Sequence, residues 1–189
     1  MAGKTVDRFA VNDAGARRGL LRGVVVGPSP QPDQADWVDV KYMTSEVTHV
    51  LEYMRHWMEP VPVSTPLMLT PSRAKVQFDP LGVGLIIGTW NYPVMLTLSP
   101  LIAAISAGNA AVIKPPDLAP AISDVIARRI PEYLDRDAFS VVLGGHQEIT
   151  RLLEQPWDHI FFTGGTAVAR VVMTAAAKKN LTLLILELG

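Results

Sequence analysis

Four segments of this 189-residue chain place chemically useful side chains just past apolar runs. Glu187 follows Leu183-Leu184-Ile185-Leu186. A carboxylate desolvated at the end of a buried strand suits a general base near neutral pH; a strand-end glutamate capped by a neighbouring helix would read the same way. Thr89-Trp90-Asn91-Tyr92-Pro93 follows Val83-Gly84-Leu85-Ile86-Ile87-Gly88. The Asn91 amide can donate to a developing oxyanion or close a turn on its own backbone, and Trp90 can wall off a site or pack on a cofactor. Lys114 and Asp117, flanking Pro115-Pro116, can hold the two hydroxyls of a ribose or form a solvated pair in a stiff loop. Phe161-Phe162-Thr163-Gly164-Gly165-Thr166 reads as strand, glycine turn and helix start. There, backbone N–H groups and a helix dipole can meet a phosphate. A tight turn made only for packing fits equally. The usual dinucleotide fingerprint is not met, because Thr166 and Ala169 stand where glycines belong.

Other chemistries lack their residues. There is no cysteine, so the chain has no disulfide, no thiolate metal site and no thiol nucleophile. No serine lies in a nucleophile elbow. The four histidines share no metal-ligand spacing, and no metal site is expected. Net charge is −1 and the basic pairs are scattered, which argues against a nucleic-acid surface. Leu81 to Ile113 is uncharged and long enough to cross a bilayer, but its glycines, prolines and asparagines favour strand, turn and buried helix. Without a signal peptide or a span, a cytoplasmic location is expected.

The elements that must position these residues follow from periodicity. Residues 1–35, with Gly27-Pro28-Ser29-Pro30-Gln31-Pro32-Asp33, carry turn and polyproline character and predict a poorly ordered segment. Residues 36–80 predict a helix plus a hairpin. Trp37, Val40, Met43, Val47, Val50, Leu51, Met54, Trp57 and Met58 recur every three or four residues as one helix face, ended by Pro60 and Pro62. Strand-like runs at 65–69 and 73–78, around Pro71-Ser72, predict a β-hairpin with no evident sheet partner. Residues 81–189 alternate between strand and helix. Strands are expected at 82–87, 110–114, 139–143, 158–162 and 182–187, with helices at 94–108, 119–130, 146–154 and 165–179. The fold class is therefore α/β, a doubly wound, Rossmann-like parallel sheet covered on both faces.

Taken together, Pro80-Leu81-Gly82-Val83 leading to Trp90-Asn91-Tyr92-Pro93, Ala107-Gly108-Asn109-Ala110 leading to Lys114-Pro115, Phe162-Thr163-Gly164-Gly165-Thr166, and Leu186-Glu187-Leu188-Gly189 resemble the aldehyde dehydrogenase superfamily. The class-3-like branch, acting on fatty and aromatic aldehydes, is the most similar, and the likeness covers about residues 37–189. The resemblance implies NAD or NADP as cofactor and oxidation of an aldehyde to a carboxylic acid. In that family a cysteine attacks the aldehyde, hydride passes to the nicotinamide, and a glutamate-activated water hydrolyses the thioester. It implies Asn91 as oxyanion donor and Glu187 as general base. It also implies Lys114 and Asp117 at the adenosine ribose, and Thr89, Trp90, Gly164, Gly165 and Thr166 around the pyrophosphate. The hairpin would belong to an oligomerisation sheet, giving a dimer or a homo- or hetero-oligomer.

The sequence departs from that pattern in several places. Asp117 replaces the usual glutamate, Thr89 a frequent proline, Gly165 a frequent serine, and Ala169 a helix glycine. Above all, no cysteine is present. The leading expectation is a truncated or split coenzyme-binding portion, without the catalytic domain and inactive alone. The alternative is a non-catalytic module that binds nucleotide or hetero-oligomerises.

Overall fold

A computed structural model describes residues 41–179 and 182–189. The expected poorly ordered segment 1–35, and Trp37 and Val40 of the first helix, lie outside the described residues.

Helix α1 (Lys41–Trp57) presents Met43, Val47, Val50, Leu51 and Met54 to the core. The expected stripe runs too far: Trp57, the last helical residue, and Met58 just past it are exposed. The hairpin is also placed differently. Strand β1 (Val61–Val63) pairs antiparallel with β2 (Ala74–Val76), and Leu67–Leu69 form a 3-10 turn in the long connection. Pro62 lies within β1, as a two-stranded ribbon permits, because each strand is an edge and one side needs no ladder donors. A proline that looked only like a helix stop thus sits in a strand.

The main sheet contains β3 (Val83–Ile87), β4 (Ala110–Lys114), β5 (Phe139–Val141), β6 (His159–Gly164) and β7 (Leu183–Leu188). Every pairing is parallel, in the order β5-β4-β3-β6-β7. Connecting them are α2 (Met95–Ser106), α3 (Pro120–Tyr133), α4 (His146–Leu153) and α5 (Thr166–Lys179). Pro100 is accommodated inside α2.

Alternation along β3 divides the core between two faces. Ile86 joins Leu98, Leu101, Ile105, Ile126 and Ile130 beneath α1–α3. Leu85 and Ile87 join Ile160, Phe162, Ala169, Val172 and Ala176 beneath α4 and α5. That double cover explains why β3 reads as one continuous apolar run. Edge strand β7 is an exception. Leu184 and Leu186 pack on the second cluster, whereas Leu183 and Ile185 on the opposite face are exposed.

Candidate functional site

Because all five strands run the same way, their carboxyl ends share one edge. Chain order reverses at β3, which is flanked by β4 on one side and β6 on the other. This switch point leaves a crevice beyond the strand ends, the usual ligand position in open α/β sheets. Residues from four strands converge on that edge.

The Gly88 N–H donates to the Lys114 carbonyl at 3.0 Å, tying the end of β3 to the end of β4. A Cβ on Gly88 would run into the Thr97 hydroxyl, so the chain leaves β3 in close contact with α2. Trp90, 62% exposed, and the exposed Asn91 and Tyr92 follow. Thr89 is partly covered.

At the end of β4, Lys114 is 1% exposed and its Nζ lies 3.6 Å from Oδ1 of Asp117, itself 55% exposed. A fully solvated pair is therefore not what forms, since the ammonium is buried and only the carboxylate reaches water. Pro115 and Pro116 are buried, and the Ser123 hydroxyl donates to the Pro116 carbonyl at 2.6 Å, fixing the loop to α3. A neighbour that sequence reasoning did not single out completes this corner. Glu148, in the first turn of α4, accepts the Gly145 N–H at 2.8 Å. That bond holds its carboxyl below the usual glutamate range, its own backbone N–H adds to the effect, and Arg151 and Lys114 contribute less. Gly145 lies close enough to Asp117 that a Cβ would come within 3.3 Å of Oδ2. The signal was there as Gly144-Gly145-His146-Gln147-Glu148, a glycine turn followed at helix N3 by a glutamate.

The end of β6 is shaped by Gly164. Its φ of 156° disfavours any side chain, and a Cβ added there would stand 2.7 Å from the Phe162 ring. A Cβ on Gly165 would meet nothing within 4 Å, and the Gly165 carbonyl accepts the Ala169 N–H at 3.1 Å in the first turn of α5. Gly165 and Thr166 are exposed at a helix N-terminus that points toward the crevice. Ala169, which stands where the resemblance implies a helix glycine, is buried in the second cluster.

Glu187 corrects an expectation. It is exposed, not desolvated, because β7 is an edge strand whose α1–α3 face has no covering helix among the described residues. Oε2 of Glu187 lies 3.5 Å from the Thr163 hydroxyl of β6, at the limit of a hydrogen bond. Away from this edge, a groove of about 450 Å³ runs between α4 and α5, lined by Thr150, Leu153, Arg170, Val171, Thr174 and Lys178.

An open parallel sheet with its switch point facing a glycine turn, a helix N-terminus and a buried lysine defines an α/β protein of the doubly wound class. Residues 29–189 match the profile of the aldehyde dehydrogenase family, and the chain belongs to that family. It is 47% identical over 151 residues to aldehyde dehydrogenase family 3 member A2 of Macaca fascicularis, covering 80% of this chain and 31% of that protein. It is 45% identical over 156 residues to the chloroplastic family 3 member I1 of Arabidopsis thaliana, covering 82% of this chain and 28% of that one. The chain thus spans about a third of the length of these relatives. The structure of a Staphylococcus aureus AldH in a substrate-bound state superposes with a TM-score of 0.87 at 31% identity, over the whole of this chain and 40% of that one.

Proposed function

We propose that this chain binds NAD or NADP across the β3–β6 crevice and supplies two groups for oxidation of an aldehyde to a carboxylic acid. The reading is carried by one observation: Trp90 and Asn91, Lys114 and Asp117, Gly164 to Thr166, and Glu187 all lie at a single strand edge, at the switch point.

The residues present fit a dinucleotide. Lys114 is a buried ammonium whose carboxylate partner, at 3.6 Å, lies beyond good hydrogen-bond length, leaving its donors for ribose hydroxyls beside Asp117. Gly165, where a Cβ would meet nothing within 4 Å, and the exposed Thr166 leave room for the pyrophosphate at the positive end of α5. Trp90 and Thr89 border the same space. The groove between α4 and α5 begins about one helical turn past Thr166 and is mostly apolar, which suits the adenine. A relative from dog is named as a dimeric, NADP-preferring aldehyde dehydrogenase, and PnpE, 26% identical over 98% of this chain, was solved in complex with nicotinamide adenine dinucleotide; these support the class of cofactor.

In the net reaction, aldehyde, water and NAD(P)+ give carboxylic acid, NAD(P)H and a proton. The bound nicotinamide supplies the hydride acceptor. Asn91 Nδ2 would donate to the oxygen of the tetrahedral adduct, stabilising charge where it develops. Glu187 would take a proton from the hydrolytic water. None of these 189 residues is a cysteine, so the attacking thiolate of the family's reaction would have to come from polypeptide outside them. The same polypeptide would cover Asn91, Glu187 and the bare face of β7, excluding water from groups that are exposed here. The β1–β2 ribbon, with Leu67, Met68 and Phe78 exposed, is the oligomerisation element.

Titration with NADH, read by enhanced nicotinamide fluorescence, tests the binding half. Saturable enhancement is expected, and its absence at millimolar NADH would remove the proposal. Mixing with the cysteine-bearing remainder of a family 3 relative should then restore aldehyde-dependent NADH formation, and that activity should be lost with Asn91→Ala or Glu187→Gln.

A further inference from the structure

Asp117 has a fixed backbone and a loosely held carboxylate. Pro115 and Pro116 are buried just before it, and the Ser123 hydroxyl holds the Pro116 carbonyl at 2.6 Å. The carboxylate itself is 55% exposed, and Lys114 Nζ stands 3.6 Å from Oδ1, too far for a firm hydrogen bond. Its other neighbour is backbone. Gly145 comes so close that a Cβ on it would lie 3.3 Å from Oδ2. The carboxylate therefore rests between a buried ammonium and the Gly144-Gly145 turn.

Two adjacent glycines are the freest backbone a chain can offer, so such a turn needs a restraint to present one surface. Glu148, in the first turn of α4, supplies it by accepting the Gly145 N–H at 2.8 Å. The turn is shaped for that bond. Gly144 has a φ of 135°, and a Cβ there would collide with the Glu148 carboxylate. We propose that Glu148 is a positioning residue for coenzyme binding, aiming Asp117 at the ribose hydroxyls by pinning Gly145 behind it. The proposal rests on the reading that this edge holds NAD or NADP, and it gives Glu148 a role through Gly145 rather than on the coenzyme.

A second route from Glu148 to the ribose would be charge, through Lys114. The Glu148 carboxyl is held below the usual glutamate range first by the Gly145 N–H and least by Lys114. Two variants separate geometry from charge. Glu148→Gln keeps an acceptor at the same reach and removes the charge. Glu148→Asp keeps the charge but, one methylene shorter, falls short of the Gly145 N–H.

The test uses the full chain and displaces bound NADH with 5′-AMP or with 2′,3′-dideoxy-AMP, which lacks both ribose hydroxyls. The ratio of their Kd values reads the grip on those hydroxyls alone. Both nucleotides meet the same folded fraction, so a loss of stability does not move the ratio. In the unaltered chain AMP should bind at least about 10-fold tighter, the worth of one hydrogen bond to a charged group. Glu148→Gln should keep that preference, and Glu148→Asp should lose most of it. A preference that survives in Glu148→Asp overturns the proposal, because both nucleotides then weaken equally or not at all. So does a preference lost in Glu148→Gln, which would assign the effect to charge. If NADH binds but the unaltered chain does not distinguish the two nucleotides, the proposal falls and the coenzyme site stands. Absence of NADH binding removes both.

Discussion

Lys114→Met should make the protein more stable and less able to bind NADH. The side chain is 1% exposed, and its ionic partner, Asp117, stands 3.6 Å away and mostly in water. A buried charge with so loose a partner contributes little Coulomb energy against its desolvation. Replacing such pairs with apolar residues of similar size is often neutral or stabilising by about 1–4 kcal/mol. Methionine keeps much of the aliphatic stem, and the orphaned Asp117 carboxylate remains solvated, so a gain of about 1–2 kcal/mol is expected. Coenzyme binding moves the other way. Losing a charged donor to ribose hydroxyls costs about 1.5–3 kcal/mol, or roughly 10- to 150-fold in Kd. Urea unfolding reads the first change as a higher midpoint at unchanged slope, and NADH fluorescence titration reads the second. A fall in stability of more than about 1 kcal/mol would make Lys114 a structural residue. Unchanged NADH affinity would take the ribose role from it.

Gly88→Ala should cost about 1–3 kcal/mol by overpacking, because its methyl would occupy the space of the Thr97 hydroxyl; adding Thr97→Ala should recover most of that in urea melts, and strict additivity would refute the contact. His159, half-buried at the start of β6 with its Nε2 unpartnered among the described residues, is held below the usual histidine range by desolvation. Its unfolded form therefore binds the proton first, so stability is full above about pH 6.5 and falls as pH drops through and below that value. Urea midpoints between pH 7.5 and 5 should show this slope, and His159→Gln should flatten it. Val171→Glu, on the exposed wall of the groove between α4 and α5, should weaken NADH binding by desolvating a carboxylate against the adenine, with an unchanged urea midpoint. Equal NADH affinity in that variant would move the adenine elsewhere.

The doubly covered strands were the most legible part of the fold. Val83-Gly84-Leu85-Ile86-Ile87 is apolar without alternation because Ile86 and its neighbours Leu85 and Ile87 enter different clusters. Short strands separated by amphipathic helices left few alternatives to a parallel sheet. The residues of the site were legible for a related reason: a sharp change from apolar run to polar or glycine-rich turn marks a strand's carboxyl end, where parallel strands put their chemistry. What the sequence could not show was which strand faces find no cover among the described residues. Leu183-Leu184-Ile185-Leu186 reads like β3, yet Leu183 and Ile185 are exposed.

That mismatch also accounts for Glu187. Hydropathy records how much shielding a strand demands, and β3 receives it within this chain from α2 on one side and α5 on the other. β7 carries the same demand on both faces but, among the described residues, receives α5 alone, so Leu184 and Leu186 are packed while Ile185 and Glu187 are not. The hairpin shows the same imbalance, with β1 and β2 exposed along their whole length and Leu67, Met68 and Phe78 turned to solvent. Both surfaces are apolar in composition and unburied in fact, and a base at Glu187 needs the first of them closed before its carboxylate can leave water. The coenzyme cradle, by contrast, draws its positioning contacts from within the chain: Gly88 to the Lys114 carbonyl, Ser123 to the Pro116 carbonyl, and Glu148 to the Gly145 N–H. Binding of the dinucleotide should therefore survive in this chain alone, while proton transfer at Glu187 should depend on whatever covers β7.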